Sequence, residues 1–171
     1  MEVLRIVNYK YHGWSGVNVE GGLLEEIQEC LSNTECPQKL SEEASKYGDP
    51  IYCPKAINKN FRDLMLKKGW KKDVLLDEDA PLKWKVDFVK KNVGVEIQLG
   101  KYAFLSHDYL KLQAYVQRKK ISIPIIIMPS KYMQSEMSTG VGCYGDLEHM
   151  LEYLEWDLRM LLISVEPAKA A

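Results

Sequence analysis

Two carboxylates and an amide stand close together in one short stretch of this 171-residue chain. They are Asp87, Glu96 and Gln98, within KVDFVKKNVGVEIQLGKYAF at residues 85–104. Val86, Phe88 and Val89 surround Asp87, while Val95, Ile97 and Leu99 alternate with Glu96 and Gln98. Alternation of this kind marks strands, with an apolar set turned to a core and a polar set turned to the other face. The Lys90-Lys91-Asn92 turn between the two runs predicts an antiparallel pair. Asp87 and Glu96 then lie on adjoining strands, close enough to share one divalent cation, with Gln98 beside Glu96. Hard cations such as magnesium take carboxylate oxygens, a backbone carbonyl and waters. Metal-assisted phosphodiester hydrolysis is the chemistry such a pair supports. The plainer alternative is a pair of solvated acids on sheet strands.

Cations flank the acids. Lys90, Lys91 and Lys101 lie in the same stretch, and Lys67, Lys68, Lys71 and Lys72 form a second cluster. Solvated lysine on turns and helix ends is the competing explanation. The net charge of −1 argues against a protein that coats nucleic acid through a global basic field. It does not argue against an enzyme whose own carboxylates offset local lysines. The acids of LDEDA, Leu76 to Ala80, are consecutive on a loop and do not converge on an ion, so a solvated loop is expected there. Gly13, Gly16, Gly21 and Gly22 match no phosphate-binding fingerprint.

Cys30, Cys36, Cys53 and Cys143 have no CxxC spacing, and His12, His107 and His149 are scattered, which predicts reduced thiols rather than zinc or a disulfide framework. No apolar run approaches the ~20 residues of a membrane span. The opening MEVLRIVNYK lacks the basic-then-apolar order of a signal peptide, so the expected location is cytoplasmic.

The elements that must position the acids are legible from periodicity. Strands are expected at Val3–Tyr9, along the hairpin, over ISIPIIIMP and at Met160–Val165. Helices are expected at Leu23–Leu31, Ala56–Lys68, Asp108–Lys119 and Asp146–Trp156. SEEAS, Ser41 to Ser45, resembles a capped helical start; Ser130 to Gly145 reads as loop with one helical turn, and the tail PAKAA as frayed. Glu25 or Glu26 could approach the acids from the first helix. A strand, a helix and a strand after the hairpin imply a crossover onto the same sheet. No repeat or linker divides the chain, so a single catalytic domain over residues 1–171 is expected, of α/β class with a central mixed β-sheet flanked by helices.

Asp87, then Glu96, one spacer and Gln98 on an antiparallel pair resembles the active-site signature of type II restriction endonucleases in the PD-(D/E)xK nuclease superfamily. Gln98 stands where that superfamily usually carries Lys, and Glu-x-Gln is the form expected of the BglII/BstYI branch. VEIQLGKYAF is similar to that branch's catalytic strand and following turn. YGDPIYCPKAINKNFRDLMLKKGW resembles the segment before the hairpin, and SKYMQSEMSTGVGCYGDLE the later loop that reaches the DNA. The likeness covers about three quarters of the chain, which looks shorter than its relatives between Trp70 and Lys85.

The resemblance implies a restriction-endonuclease-like core and a magnesium-dependent, sequence-specific DNA endonuclease, with manganese able to substitute. It implies products with a 5′-phosphate and a 3′-hydroxyl. Asp87, Glu96 and the carbonyl of Ile97 would hold the metal, and Gln98, which does not titrate, would orient the attacking water. Lys101, Ser138 and Thr139 would contact DNA. A palindromic, GATC-containing site cut on both strands implies a homodimer, with the helix from Ala56 or that from Asp108 at its interface. A cognate methyltransferase is expected in the host. A structure-specific repair nuclease or resolvase, a non-cleaving DNA-binding relative and a purely structural domain are the competing possibilities.

Overall fold

Three apolar strands make the middle of a six-stranded sheet. In the computed structural model the run Ile123–Pro129 forms β5 and is buried along its whole length. Its neighbours are β4 (Val93–Ile97) and β6 (Met160–Lys169), and both run parallel to it. Outside these, β1 (Glu2–His12) pairs antiparallel with β6, β3 (Lys85–Lys90) with β4, and β2 (Lys71–Leu75) with β3. The order across the sheet is therefore β1-β6-β5-β4-β3-β2. The structure describes residues 1–14, 19–40, 44, 48–79 and 83–169.

Five helices cover the sheet: α1 (Leu23–Ser32), α2 (Pro54–Lys67), α3 (Leu105–Gln117), α4 (Lys131–Ser135) and α5 (Tyr144–Tyr153). Alternation along the central strands feeds two cores. Val93, Val95, Ile125, Ile127 and Ile163 pack with the apolar stripes of α1 and α2. Ile126, Met128, Met160 and Leu162 pack with α3 and α5 on the other face. Because both faces are covered, the polar face expected of the hairpin is not a solvent face: Glu96 is only 3% exposed. The crossover expected after the hairpin is present, since α3 links the parallel strands β4 and β5.

The structure differs from the periodicity in places. Strand β2, KKDVL, has no apolar alternation, and its residues are exposed or half-buried. Charged residues are usual on an edge strand, which takes its conformation from the neighbour it pairs with. Strand β6 does not fray after Val165. Its last residues pair with β1, Pro167 opposite Leu4 and Lys169 opposite Glu2. Pairing with β5 stops at Val165, so Pro167 removes no donor from that ladder.

Helix α5 starts at Tyr144 because the Asp146 carboxylate accepts the Cys143 N–H at 2.8 Å and closes a capping box. Helix α3 starts at Leu105, after a 3-10 turn at Tyr102–Phe104. The helical start read at 41–45 lies outside the described residues except for Ala44, which bridges to Pro50. Parts of two predicted loops, residues 15–18 and 80–82, and the last two residues of the tail lie outside them too.

Tyr115 of α3 ties the β3–β4 hairpin to the helix. Its buried hydroxyl stands against the carbonyls of Val74 and Trp84 and accepts the Val86 N–H at 3.3 Å. One side chain thereby joins the end of β2 to the start of β3, one residue before Asp87. Tyr115→Phe removes the hydroxyl from the Val86 N–H and the Val74 carbonyl, while the Trp84 carbonyl keeps the Leu76 N–H, and is expected to cost about 1–3 kcal/mol, read as a lower denaturant midpoint at unchanged slope.

Candidate active site

The ladder between β3 and β4 stops one step short of the acids. Lys90 pairs with Val93, Val89 with Gly94 and Phe88 with Val95. At the next step Asp87 faces Glu96, and backbone pairing gives way to two backbone-to-carboxylate hydrogen bonds. The Asp87 N–H donates to Glu96 Oε1 at 3.2 Å, and the Ile97 N–H donates to Asp87 Oδ2 at 3.0 Å. The opposite side of β3 skips the same position. Lys72–Phe88 and Val74–Val86 pair, but Asp73 and Asp87 do not. Asp73 has a φ of 49°, a left-handed conformation that aspartate tolerates better than most residues. Asp87 is thus released from pairing on both sides, and its carboxyl and that of Glu96 are each tied to the other strand's backbone.

Helix α3 adds two residues that strand periodicity does not find. Lys111 Nζ stands 2.9 Å from Glu96 Oε1 and 3.1 Å from Asp108 Oδ1. Asp108 in turn accepts the Gln98 amide through its second oxygen. Both residues are buried, on the helix face that also carries Leu105, Tyr109, Leu112 and Tyr115. A charged pair at i, i+3 within an otherwise apolar stripe was the sequence sign of them. Gln98 is held at both ends, because its Oε1 accepts the Gly100 N–H at 2.8 Å.

The expected DNA-contacting residues gather around Gln98. A groove of about 930 Å3 is lined by Gln98, Lys101, Ser138 and Thr139 together with Lys39, Lys55 and Asn58. Backbone hydrogen bonds stitch its loops together, Tyr102 N–H to Gly140 O at 2.8 Å and Gly142 N–H to Gly100 O at 3.1 Å. Lys39 Nζ donates to Ser138 Oγ at 2.6 Å.

A second, smaller cleft of about 310 Å3 is lined by Asp87 and Ile97 with Lys55, Asn58, Lys59, Arg62 and Lys72. Sequence reasoning marked only Lys72 among these cations. The others lie on α2, where their helical spacing became informative only once that helix was placed beside the hairpin. Lys90 is not part of the cleft. It pairs with Glu26 at 2.7 Å on α1, and Trp70 Nε1 donates to the same carboxylate at 2.9 Å. Glu26 is therefore committed elsewhere.

The donor set suits a hard cation. Asp87, Ile97 and Asn58 line one cleft, and the Asn58 amide oxygen is buried with no hydrogen-bond partner among the described residues. Two carboxylates, an amide oxygen and a backbone carbonyl are the ligands that magnesium accepts alongside water. Among the described residues no group of three or more His, Cys, Asp or Glu is arranged to hold a metal. The fit rests on this mixed oxygen set.

Charge in the site is unbalanced. Asp87, Glu96 and Asp108 contribute three carboxyls, against the single ammonium of Lys111. Burial pushes the Glu96 carboxyl well above the usual carboxylate range; Asp87 adds to this and Lys111 opposes it. Burial likewise raises Asp87, against the pull of the Ile97 N–H and Lys111. Burial alone would lower Lys111, but Glu96 and Asp108 outweigh it, so the ammonium stays protonated above 10.5.

A carboxyl raised in the folded state binds its proton more tightly there than in the unfolded chain. Stability from this source is present at low pH and is lost as pH rises from the ordinary Glu value of 4.5 through the raised one. Lys111 keeps its charge throughout that window. Without divalent ions, the melting temperature is expected to fall as pH rises above the ordinary Glu value of 4.5, and Glu96→Gln to flatten that slope, measured by thermal denaturation in chelator.

The family model for restriction endonuclease BglII/BglIII matches residues 17–160. The type II restriction enzyme BglII of Bacillus subtilis is 24% identical over 152 residues, which is 84% of this chain and 68% of that protein. The crystal structure of restriction endonuclease BglII complexed with a DNA 16-mer superposes with a TM-score of 0.74 at 22% identity, covering 92% of this chain and 74% of that one. Free BglII gives 0.67 at 20% identity, with 92% and 77% covered. The family match spans most of the chain, including the β3–β4 hairpin and the helices around it: the chain belongs to the BglII/BglIII family of restriction endonucleases, which are site-specific deoxyribonucleases.

Proposed function

We propose that this chain is a magnesium-dependent type II restriction endonuclease that hydrolyses both strands of a GATC-containing palindrome, leaving 5′-phosphate and 3′-hydroxyl ends. The observation that carries the proposal is the break in the β3–β4 ladder, where Asp87, at the wall of a cation-lined cleft, meets the buried Glu96 behind it. Family membership favours site-specific cleavage over a structure-specific nuclease or a non-cleaving relative.

In this reading Asp87, Glu96 and the Ile97 carbonyl hold the metal, and the Asn58 oxygen stands close by. When bound, magnesium supplies Lewis acidity at the phosphoryl group and lowers the pKa of a coordinated water. The chain supplies placement. Lys55, Lys59, Arg62 and Lys72 draw the scissile phosphate into the cleft over Asp87. Gln98, held by Asp108 and the Gly100 N–H, orients the attacking water with its second N–H or its remaining oxygen lone pair. Lys101, Ser138 and Thr139 face bases across the adjoining groove, where side-chain hydrogen bonds distinguish sequences. A palindrome has twofold symmetry, so two copies, one site per strand, fit it. A cytoplasmic location and a protecting methyltransferase go with this function. Among the described residues no helix is long and apolar enough to cross a membrane.

Incubation of the protein with plasmid and magnesium, followed by sequencing of the fragment ends, tests the activity. Discrete fragments with one recurring end sequence are expected, and random nicking or no cutting refutes it. Asp87→Asn and Glu96→Ala are each expected to slow single-turnover cleavage at least about a hundredfold; a wild-type rate in either variant places the site elsewhere.

The two cavities predict different binding phenotypes. Lys59→Ala or Arg62→Ala is expected to weaken binding to all sequences alike and to reduce the salt slope of log affinity by about 1. Lys101→Ala is expected to relax site preference, with a loss of about 1–3 kcal/mol confined to the cognate sequence. Titrations of cognate and scrambled duplexes at several salt concentrations separate the two effects.

A further inference from the structure

We propose that Asp108 and Lys111 of α3 are positioning residues for the hydrolytic site, with Lys111 fixing the Glu96 carboxylate and Asp108 fixing the Gln98 amide. This rests on the assignment of Glu96 and Gln98 to that site. The support is where the pair's contacts go. Among the described residues, every ion pair or hydrogen bond that the Lys111 ammonium makes ends on Glu96 or Asp108. Beyond its own helix, the Asp108 carboxylate reaches only Gln98. The pair therefore joins the two site residues of the β4 strand and its extension, by a path that leaves the strand and returns through the helix.

Stability alone does not account for these residues. Asp108 is 5% exposed and Lys111 6%, on a helix face otherwise made of Leu105, Tyr109, Leu112 and Tyr115. Taking such charges out of water costs several kcal/mol per ion, and well-packed apolar side chains commonly serve a core as well or better. A buried ionic strut has a reason to be there when its partners must be held at fixed points.

The geometry shows what is held. Glu96 Oε1 receives both the Lys111 ammonium and the Asp87 N–H, which sets the rotation of the carboxylate and the direction of its other oxygen. Gln98 is fixed by Asp108 at its nitrogen and by the Gly100 N–H at its oxygen. Gly100 belongs to the loop that lines the wide groove next to Lys101. Lys111 thus acts on the residue that would hold the ion, and Asp108 on the residue that would orient water.

Neither Asp108 nor Lys111 lines the cation-rich cleft or the groove, so neither should alter DNA affinity. Groups that orient metal ligands typically change affinity or activity by 10–100-fold when removed. The two roles predict separable defects. Lys111→Met should weaken Mn2+ binding to the full-length, DNA-free protein, followed by the paramagnetic resonance of free Mn2+, by about tenfold or more, and raise the Mg2+ half-saturation of cleavage equally. Lys111→Arg should recover much of that loss. Asp108→Asn, nearly isosteric, should leave Mn2+ binding within about twofold but lower the rate at saturating Mg2+ by about tenfold.

Folded Lys111→Met that binds Mn2+ like wild type overturns the role of Lys111. A wild-type saturating rate in Asp108→Asn overturns that of Asp108. If Lys111→Met does not fold, Lys111→Gln takes its place, and wild-type metal dependence there together with a wild-type rate in Asp108→Asn refutes the proposal. Glu96→Gln serves as the reference. If it too binds Mn2+ normally, the metal site itself is misassigned; if it loses Mn2+ while Lys111→Met does not, only the positioning claim falls.

Discussion

The site depends on a ladder that stops. Antiparallel strands normally satisfy every facing backbone group with its neighbour, and a polar group left unpaired inside a protein is costly. Between β3 and β4 that continuity ends after Phe88 and Val95, and the next two N–H groups are taken up by carboxylates instead. This substitution brings two acids together without orphaning the backbone. It also frees Asp87 on the β2 side, where Asp73 leaves the register. The rest of the fold keeps this one irregular step in place: Tyr115 secures the approach to Asp87, and parallel pairing with β5 carries β4 up to Ile97.

The electrostatics follow from that meeting. Three carboxyls share one ammonium in a space largely closed to water, and burial makes both hairpin acids reluctant to ionise. A divalent cation is the natural complement of such a set, since it supplies the charge that Lys111 does not. The chain has a net charge of −1 but concentrates cations on α2 and β2 around the Asp87 cleft. Local charge, rather than the total, decides what a polyanion encounters.

The wide groove and the Asp87 cleft are neighbours in this fold. Asn58 borders both cavities, and Gln98 lies two residues from Glu96 and three from Lys101. Because the 98–102 and 138–142 segments are stitched by backbone hydrogen bonds, a shift in the groove wall moves Gly100 and, with it, the amide of Gln98.

Much of this was legible in the chain itself. Strand alternation around Asp87 and Glu96, the isoleucine run of β5 and the apolar stripes of α1 and α2 report directly on local structure, because period and propensity are properties of neighbouring residues. The order Asp87, Glu96, Gln98 with its flanking segments was enough to indicate the family. Strand β2 was not legible, since an edge strand of Lys and Asp acquires its conformation only from β3. The continuation of β6 through Pro167 was hidden for the same reason, its partner being β1 at the other end of the chain. Asp108 and Lys111 read as ordinary helix residues until packing turned their face inward onto Glu96 and Gln98. Residue types and their local spacing set which groups were present. Only the tertiary structure decided which of them meet, because burial and charge pairing depend on contacts between segments distant in sequence.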